Sequence, residues 1–494
     1  NNLSYPKSGN VLLKQQRYLT LVNTHLAMTQ IPVRNPHTGD IDYAFVEPTK
    51  RELASRISRL RDNQVDWSSL HVSDRGEILR SFADGLARHK DQLTQALCVD
   101  TGRWGLSVME VDALQAITHG RVSQAIDILQ SKRMQSGSAD VSHLQVFVPY
   151  SVVGVISPWN YPLILSFLDA VPALLAGCSV IVKPSEITPR FIEAVNQVLG
   201  DIAGLHTVVD VVPGTAFTGN NLIDLVDAVN FTGSVETGRQ VAARAASQLK
   251  PAFLELGGKD PAIVLESADI ERAAQAILHC ATVNTGQACF SIERVYVHES
   301  LASNFIHLIS SLAEKITLNI EDPAKGAIGP IISAKQIQII DKHLNDAKEK
   351  HASFLTGGVI EQHGGSWLRP TIVTDVDHSM LLMRKETCAP IIPIMTFKET
   401  SEAVYLANDS EYGLSAAVFG DLDKSEAVAL TLDAGGIYCN DVDLIGSAHE
   451  SAEKMSFKNS GLGGSRYGPE GITRFTRKQS VVFQHGGGAT IKDL

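Results

Sequence analysis

A chain of 494 residues, 44% hydrophobic and 20% charged, has the make-up of a globular protein with more than one core. Its net charge of −11 and pI of about 5.8 argue against nucleic acid as a partner, because phosphate-backbone binding needs a basic face. The six cysteines form no CxxC pair, so no metal site or redox dithiol is expected, and their sparseness fits a reducing, cytoplasmic setting.

Residues 1–30 are polar and weakly patterned, and no apolar run there is long enough for a signal peptide. "RNPHTGD" (34–40) is a turn cluster. Helical periodicity runs from 47 to 130, and in "SDRGEILRSFADGLARHKDQLTQALCVDTG" Ser73 is the expected N-cap and Gly102 the stop. Residues 141–150 alternate like a strand. From 151 onward, short runs such as "VVGVIS", "SVIVKPS" and "DAVNFTGS" are apolar on both faces and alternate with helices. This pattern predicts parallel strands covered on each side, a doubly wound α/β sheet with its ligand crevice at the C-terminal strand ends. A second α/β block spans about 258–440. The tail 473–485 reads as a late strand, able to pair with 141–150 of this chain or of another. The longest apolar stretch, 170–182, is too short for a bilayer and carries Pro and Gly, so no membrane partner is expected.

Six stretches carry candidate chemistry. "NTGQACFS" (284–291) holds Cys289; a buried cysteine is usually core filler, and only its company suggests a nucleophile. "SPWNYP" (157–162) puts the Asn160 amide just past a strand, where it can donate to a developing oxyanion. "FLELGGKDP" ends a strand on Glu255, a carboxylate that is costly to bury without work or a partner. "VKPSEITP" puts Lys183 and Glu186 after a strand, a familiar place for a ribose acceptor. "FTGSVETG" turns at Gly233 and Ser234 into an Ala-rich helix whose free amides suit a phosphate. A lone Glu386 sits in the apolar run "RKETCAPIIPIM".

Taken together and in order, these stretches resemble the NAD(P)-dependent aldehyde dehydrogenase superfamily. The match runs from about 149 to 480 and also includes "YGLSAAVF", "GGIYCN" and "GPEGI…FTRKQSV"; residues 1–140 match loosely. The resemblance implies a Rossmann-like cofactor domain (1–126 and 150–257) and a second α/β catalytic domain (258–472). It adds a small β oligomerisation element (127–149 and 473–494) that makes a homodimer or homotetramer. It implies Cys289 as nucleophile, Asn160 as oxyanion donor and Glu255 as the base that activates water. The cofactor would be held by Ser157, Trp159, Lys183, Ser185, Glu186, Gly233, Ser234, Gly257 and Glu386. Glu186 favours NAD over NADP, because a carboxylate accepts from a free 2′-hydroxyl and repels a 2′-phosphate. Glu255 favours hydrolysis to the free acid over transfer to coenzyme A.

By the same resemblance, Tyr161, Leu165, Leu168, Ala288 and Phe290, with part of 441–457, would line the aldehyde tunnel. The first positions are apolar or aromatic, so an apolar aliphatic or aromatic aldehyde is the expected substrate; a semialdehyde or aminoaldehyde is the alternative. The acidic loop "DVDLIGSAHESAE" disfavours anionic substrates. Two departures stand out. Cys388, Ala389 and Pro390 replace the usual Phe-Gly-Pro after Glu386, and "EKMS" (453–456) replaces Pro-Phe-Gly-Gly.

Overall fold

The computed structural model describes residues 30–442, 444 and 451–488. The segment 1–29, part of the loop 441–453 and the last six residues lie outside them.

The runs that are apolar on both faces do form buried parallel strands. The first sheet has five of them: Val152–Ile156, Ser179–Lys183, Val209–Val211, Ala228–Thr232 and Ala252–Glu255. Numbered along the chain, their spatial order is 3-2-1-4-5, with Gly461–Leu462 added antiparallel at the outer edge. The order reverses between Val152–Ile156 and Ala228–Thr232, where a ligand crevice is expected. Register aligns the strand ends: Ile156 pairs with both Lys183 and Phe231, and Thr232 pairs with Glu255. Four segments singled out in the sequence therefore leave the sheet side by side. Both faces are covered. Helices Val72–Arg88, Trp104–Ile128, Pro162–Ala176 and Phe191–Gly200 share one apolar cluster with the sheet. Helices Lys50–Ser69, Ala216–Leu225 and Val235–Ala246 share the other.

The second sheet has seven strands, parallel except for Ser353–Phe354 at its edge. Asp260–Val264 lies near its centre between Ile292–His298 and Ser415–Phe419. Helices pack on both faces here too. The link between the sheets is short: Glu255 ends a strand of the first, and Asp260 begins one of the second. The chain is thus α/β in architecture, with its two main sheets joined directly through Gly257–Gly258.

The late strand, Thr476–Gln484, pairs antiparallel with Val141–Pro149 of the same chain, and Lys132–Gln135 completes a three-stranded ribbon. The helical stretch 73–101 differs from expectation. It is two helices, Val72–Arg88 and Lys90–Thr101, broken at His89. The first is capped by the His71 ring, which accepts from the Ser73 amide, so the residue preceding the apolar periodicity outcompetes Ser73 as the cap. Gly102 does end the second helix, at φ 69°, a conformation that favours glycine.

Candidate active site

Cys289 follows a short turn that few sequences tolerate. Asn284, Thr285 and Gly286 all have positive φ (52°, 60° and 67°), unusual for a β-branched residue such as Thr285. Side chains hold the turn in place. Thr285 Oγ1 donates to the Gly329 carbonyl at 3.0 Å, Gln287 Nε2 donates to the Pro330 carbonyl at 3.2 Å, and Gln287 Oε1 accepts from the Ile332 amide at 2.9 Å. A Cβ on Gly286 would lie 2.3 Å from the Ala389 carbonyl carbon, so the turn is also packed against the segment after Glu386. Cys289 emerges half-buried beside Phe290. Burial pushes its thiol up to about 12, with the Lys454 ammonium as the leading opposing charge.

Asn160 comes from the end of the first sheet. Its Nδ2 donates to the Gln287 carbonyl at 3.0 Å, two residues before Cys289. A primary amide has a second N–H, which leaves one for a ligand. Its backbone carbonyl accepts from Arg103 at 2.5 Å and from Asn284 Nδ2 at 3.0 Å. Arg103 is buried and paired at 3.0 Å with the fully buried Glu110, whose other oxygen accepts from the free amides of Leu163 and Ile164. Glu110 thereby caps the helix Pro162–Ala176 that Asn160 precedes. Burial raises its carboxyl to about 7 against the pull of Arg103.

Glu255 is reached across the sheet junction. Its Oε2 accepts from Ser456 Oγ at 2.7 Å, and its carbonyl accepts from the Gly233 amide at 3.1 Å. Glu386 enters from the second sheet. Its Oε1 accepts from the Gly258 amide at 3.3 Å, and a Cβ on Gly257 would overlap the carboxylate at 2.1 Å. Burial and the nearby Glu293 raise the Glu386 carboxyl to about 7. Behind it, the buried Lys259–Glu293 pair at 2.6 Å, with Glu293 accepting from the Thr387 and Cys388 amides, fixes this segment. Cys388 itself takes φ 46°.

A second group lies along the switch point. Lys183 Nζ is almost fully buried and meets Glu186 Oε2 at 3.4 Å; desolvation lowers the ammonium and Glu186 opposes that. Ser185 Oγ accepts from the Ile187 amide at 3.3 Å. Ser157 Oγ pairs with Ser166 Oγ at 2.7 Å, and the Trp159 carbonyl accepts from Thr188 at 3.3 Å. Ser234 caps the helix Val235–Ala246, its Oγ accepting from Thr237 at 3.4 Å. A Cβ on Gly233 would strike the Phe231 ring at 2.6 Å, and one on Gly238 would strike Leu256 at 2.5 Å. The resulting bare strand-to-helix turn, with a half-exposed carboxylate and a buried ammonium beside it, is chemically suited to the phosphates and ribose of a dinucleotide.

A cavity of about 1220 Å³ opens on the opposite side of Cys289. Tyr161, Leu165, Leu168 and Phe290 line it with Cys289, and the Tyr161 and Phe290 rings stack 6.4 Å apart. Ala288 is buried and is not among the residues that line it. Met109, Ala113 and Ile117, which the helix Trp104–Ile128 contributes, carry no motif that marks them for this role. Charged side chains line the cavity too: Asp269, Glu271 and Asp441, with Arg272 and Arg466. Of the loop 441–453, Leu444 lines the cavity, while 443 and 445–450 lie outside the described residues.

Sequence reasoning missed Arg103, Glu110, Asn284 and Ser456. Only Ser456 carried a signal, as part of the departing "EKMS".

This arrangement can be compared with known proteins. A model described as the aldehyde dehydrogenase family matches residues 23–481. A Mycolicibacterium smegmatis protein, whose name gives it as a succinate-semialdehyde dehydrogenase with NADP(+), is 33% identical over 457 residues; these cover 91% of this chain and 88% of that one. The solved structure of PutA from Anabaena variabilis, named as an aldehyde dehydrogenase, is 48% identical with a TM-score of 0.92, covering 94% of this chain and 99% of that one. Betaine aldehyde dehydrogenase of Staphylococcus aureus, solved in complex with NAD+, is 28% identical with a TM-score of 0.87, covering 93% and 92%.

Proposed function

The chain belongs to the aldehyde dehydrogenase family, and we propose that it oxidises an apolar aliphatic or aromatic aldehyde to the carboxylic acid with NAD. One observation carries this reading: a largely apolar cavity lined by Cys289, with the Asn160 amide bonded to the Gln287 carbonyl two residues before that thiol. In it, the Cys289 thiolate attacks the aldehyde carbon. The free N–H of Asn160 and the Cys289 amide receive the oxyanion of the thiohemiacetal. Lys183 and Glu186 hold the adenosine ribose, with Ser157, Trp159 and Ser185 shaping that side. Gly233, Ser234 and the helix start hold the pyrophosphate, and Gly257 and Glu386 take the nicotinamide ribose. When bound, the dinucleotide supplies the hydride acceptor. Glu255 then takes a proton from water, which releases the acid from the Cys289 thioester.

Glu186 supports NAD: 42% of its side chain is exposed, enough to meet a 2′-hydroxyl, and it would repel a 2′-phosphate. A second reading, a cationic aminoaldehyde, rests on the cavity lining, where three carboxylates stand with two guanidiniums, one of which, Arg466, is bound to Asp169. A semialdehyde is the other alternative, named in the M. smegmatis relative.

NADH formation by the purified protein, over apolar, amino- and carboxy-aldehydes, tests all three. NADP and coenzyme A serve as variables, and Cys289→Ser as control. Highest efficiency on apolar aldehydes with NAD, abolished in Cys289→Ser, is the expected result. Preference for an aminoaldehyde or a semialdehyde moves the substrate to that class, and turnover surviving in Cys289→Ser removes the nucleophile.

A further inference from the structure

One cation near Cys289 has no role in the chemistry above. Lys454 stands two residues before Ser456, whose hydroxyl touches Glu255, so the segment lies against the reacting groups. Its side chain runs over Gly436, where a Cβ would lie 2.9 Å from Cδ and 3.4 Å from Nζ. Gly436 is in register with Ser415, whose amide donates to Asp260 at 3.2 Å and whose hydroxyl also holds that carboxylate. Asp260 Oδ1 and the Cys289 carbonyl both crowd Gly258; a Cβ there would lie 2.6 and 2.9 Å from them. This run of contacts ties the Lys454 side chain, through Ser415 and Asp260, to the glycine that the Cys289 carbonyl crowds. On its other side Nζ lies 5.9 Å from the ring centre of Tyr467, which lines the cavity. Among the described residues no carboxylate stands within ion-pair distance of Nζ.

We propose that Lys454 is the fixed positive charge that favours the thiolate of Cys289, a positioning residue for the nucleophile. This rests on the reading of Cys289 as nucleophile. The charged and titratable groups facing the thiol are Lys454 and Arg466, Asp260 and Glu386, and the Cys388 thiol. Arg466 is committed to Asp169 and Thr232, and Asp260 to Ser415. Burial alone would leave the thiol protonated at neutral pH, and a nearby cation offsets that cost. The thiol proton leaves to solvent.

The test is alkylation of the full-length protein by iodoacetamide, without aldehyde or dinucleotide, with Cys289 followed by mass spectrometry as pH is varied. The thiolate sulfur displaces iodide, a thioether forms, and buffer takes the thiol proton. In Lys454→Met the rate at pH 8 should fall about tenfold, as the pH profile moves up by about one unit. Lys454→Arg should keep the wild-type profile. Lys454→Gln, with thermal midpoints alongside, separates loss of charge from loss of fold. An unmoved profile in the Met and Gln variants, or an Arg variant that behaves like Met, overturns the proposal. Its failure is distinct from failure of the nucleophile reading, which is decided by turnover in Cys289→Ser.

Discussion

At the residue scale, the candidate site is three polar groups, Cys289, Asn160 and Glu255, whose positions are set by short contacts and by a turn. Glu255 is held by Ser456 and Asn160 by the Gln287 carbonyl, and Cys289 is delivered by the turn before it. If Glu255 acts only on water, replacing it should spare the first half of the reaction. Glu255→Gln is expected to give a burst of NADH near one equivalent per active site, then steady turnover reduced by about 10²–10⁴-fold, read by stopped-flow absorbance. Loss of the burst as well would give Glu255 a role before acyl transfer. These residues were legible because each sits in a short local motif. Lys454 and Ser456 were legible only as a mismatch, since their use depends on groups about 165 and 200 positions away in the chain.

At the element scale, a strained turn and a capped helix bring the groups together. The turn at 284–286 persists because Thr285 and Gln287 are bonded to 329–332, so its strain is met by a neighbouring segment. The helix Pro162–Ala176 begins at the site because Glu110 satisfies its first amides. Glu110 also makes a prediction about stability. Its carboxyl is raised from 4.5 to about 7 in the folded chain, so the native state holds that proton to higher pH than the unfolded one. The contribution is therefore fully present below about 4.5, falls as pH rises to about 7, and is flat above that. Glu110→Gln removes this dependence. Thermal midpoints should show the wild type gaining on Glu110→Gln at pH 5 relative to pH 8. An equal gap at both pH values refutes the raised carboxyl. None of this was visible beforehand, because Arg103 and Glu110 lie in the part of the chain whose family resemblance is loose.

At the scale of the whole molecule, the site exists because two covered sheets meet through Gly257–Gly258. The first contributes the strand ends at Ile156, Lys183, Thr232 and Glu255. The second contributes Cys289, just ahead of Ile292–His298, and the segment around Glu386. The three-stranded ribbon stands apart with an exposed apolar side chain, Val482, at 64%. Exposed strand edges invite pairing. Val482→Lys should therefore shift light-scattering mass toward a smaller species without changing the far-UV spectrum. An unchanged mass would move the assembly surface elsewhere on the molecule.

The sequence by itself determined the α/β class and the position of the buried strands, and it singled out Cys289, Asn160 and Glu255 as candidates. Strand burial and short polar motifs are written in neighbouring residues, and so are visible without the fold. Tertiary structure alone decided that the late strand folds back on its own chain, that Ala288 is not among the residues lining the cavity, and that the helix Trp104–Ile128 lines it. It also decided which charges face the thiol. Those outcomes depend on which distant segments pack together, and no periodicity or motif within one segment encodes its partner.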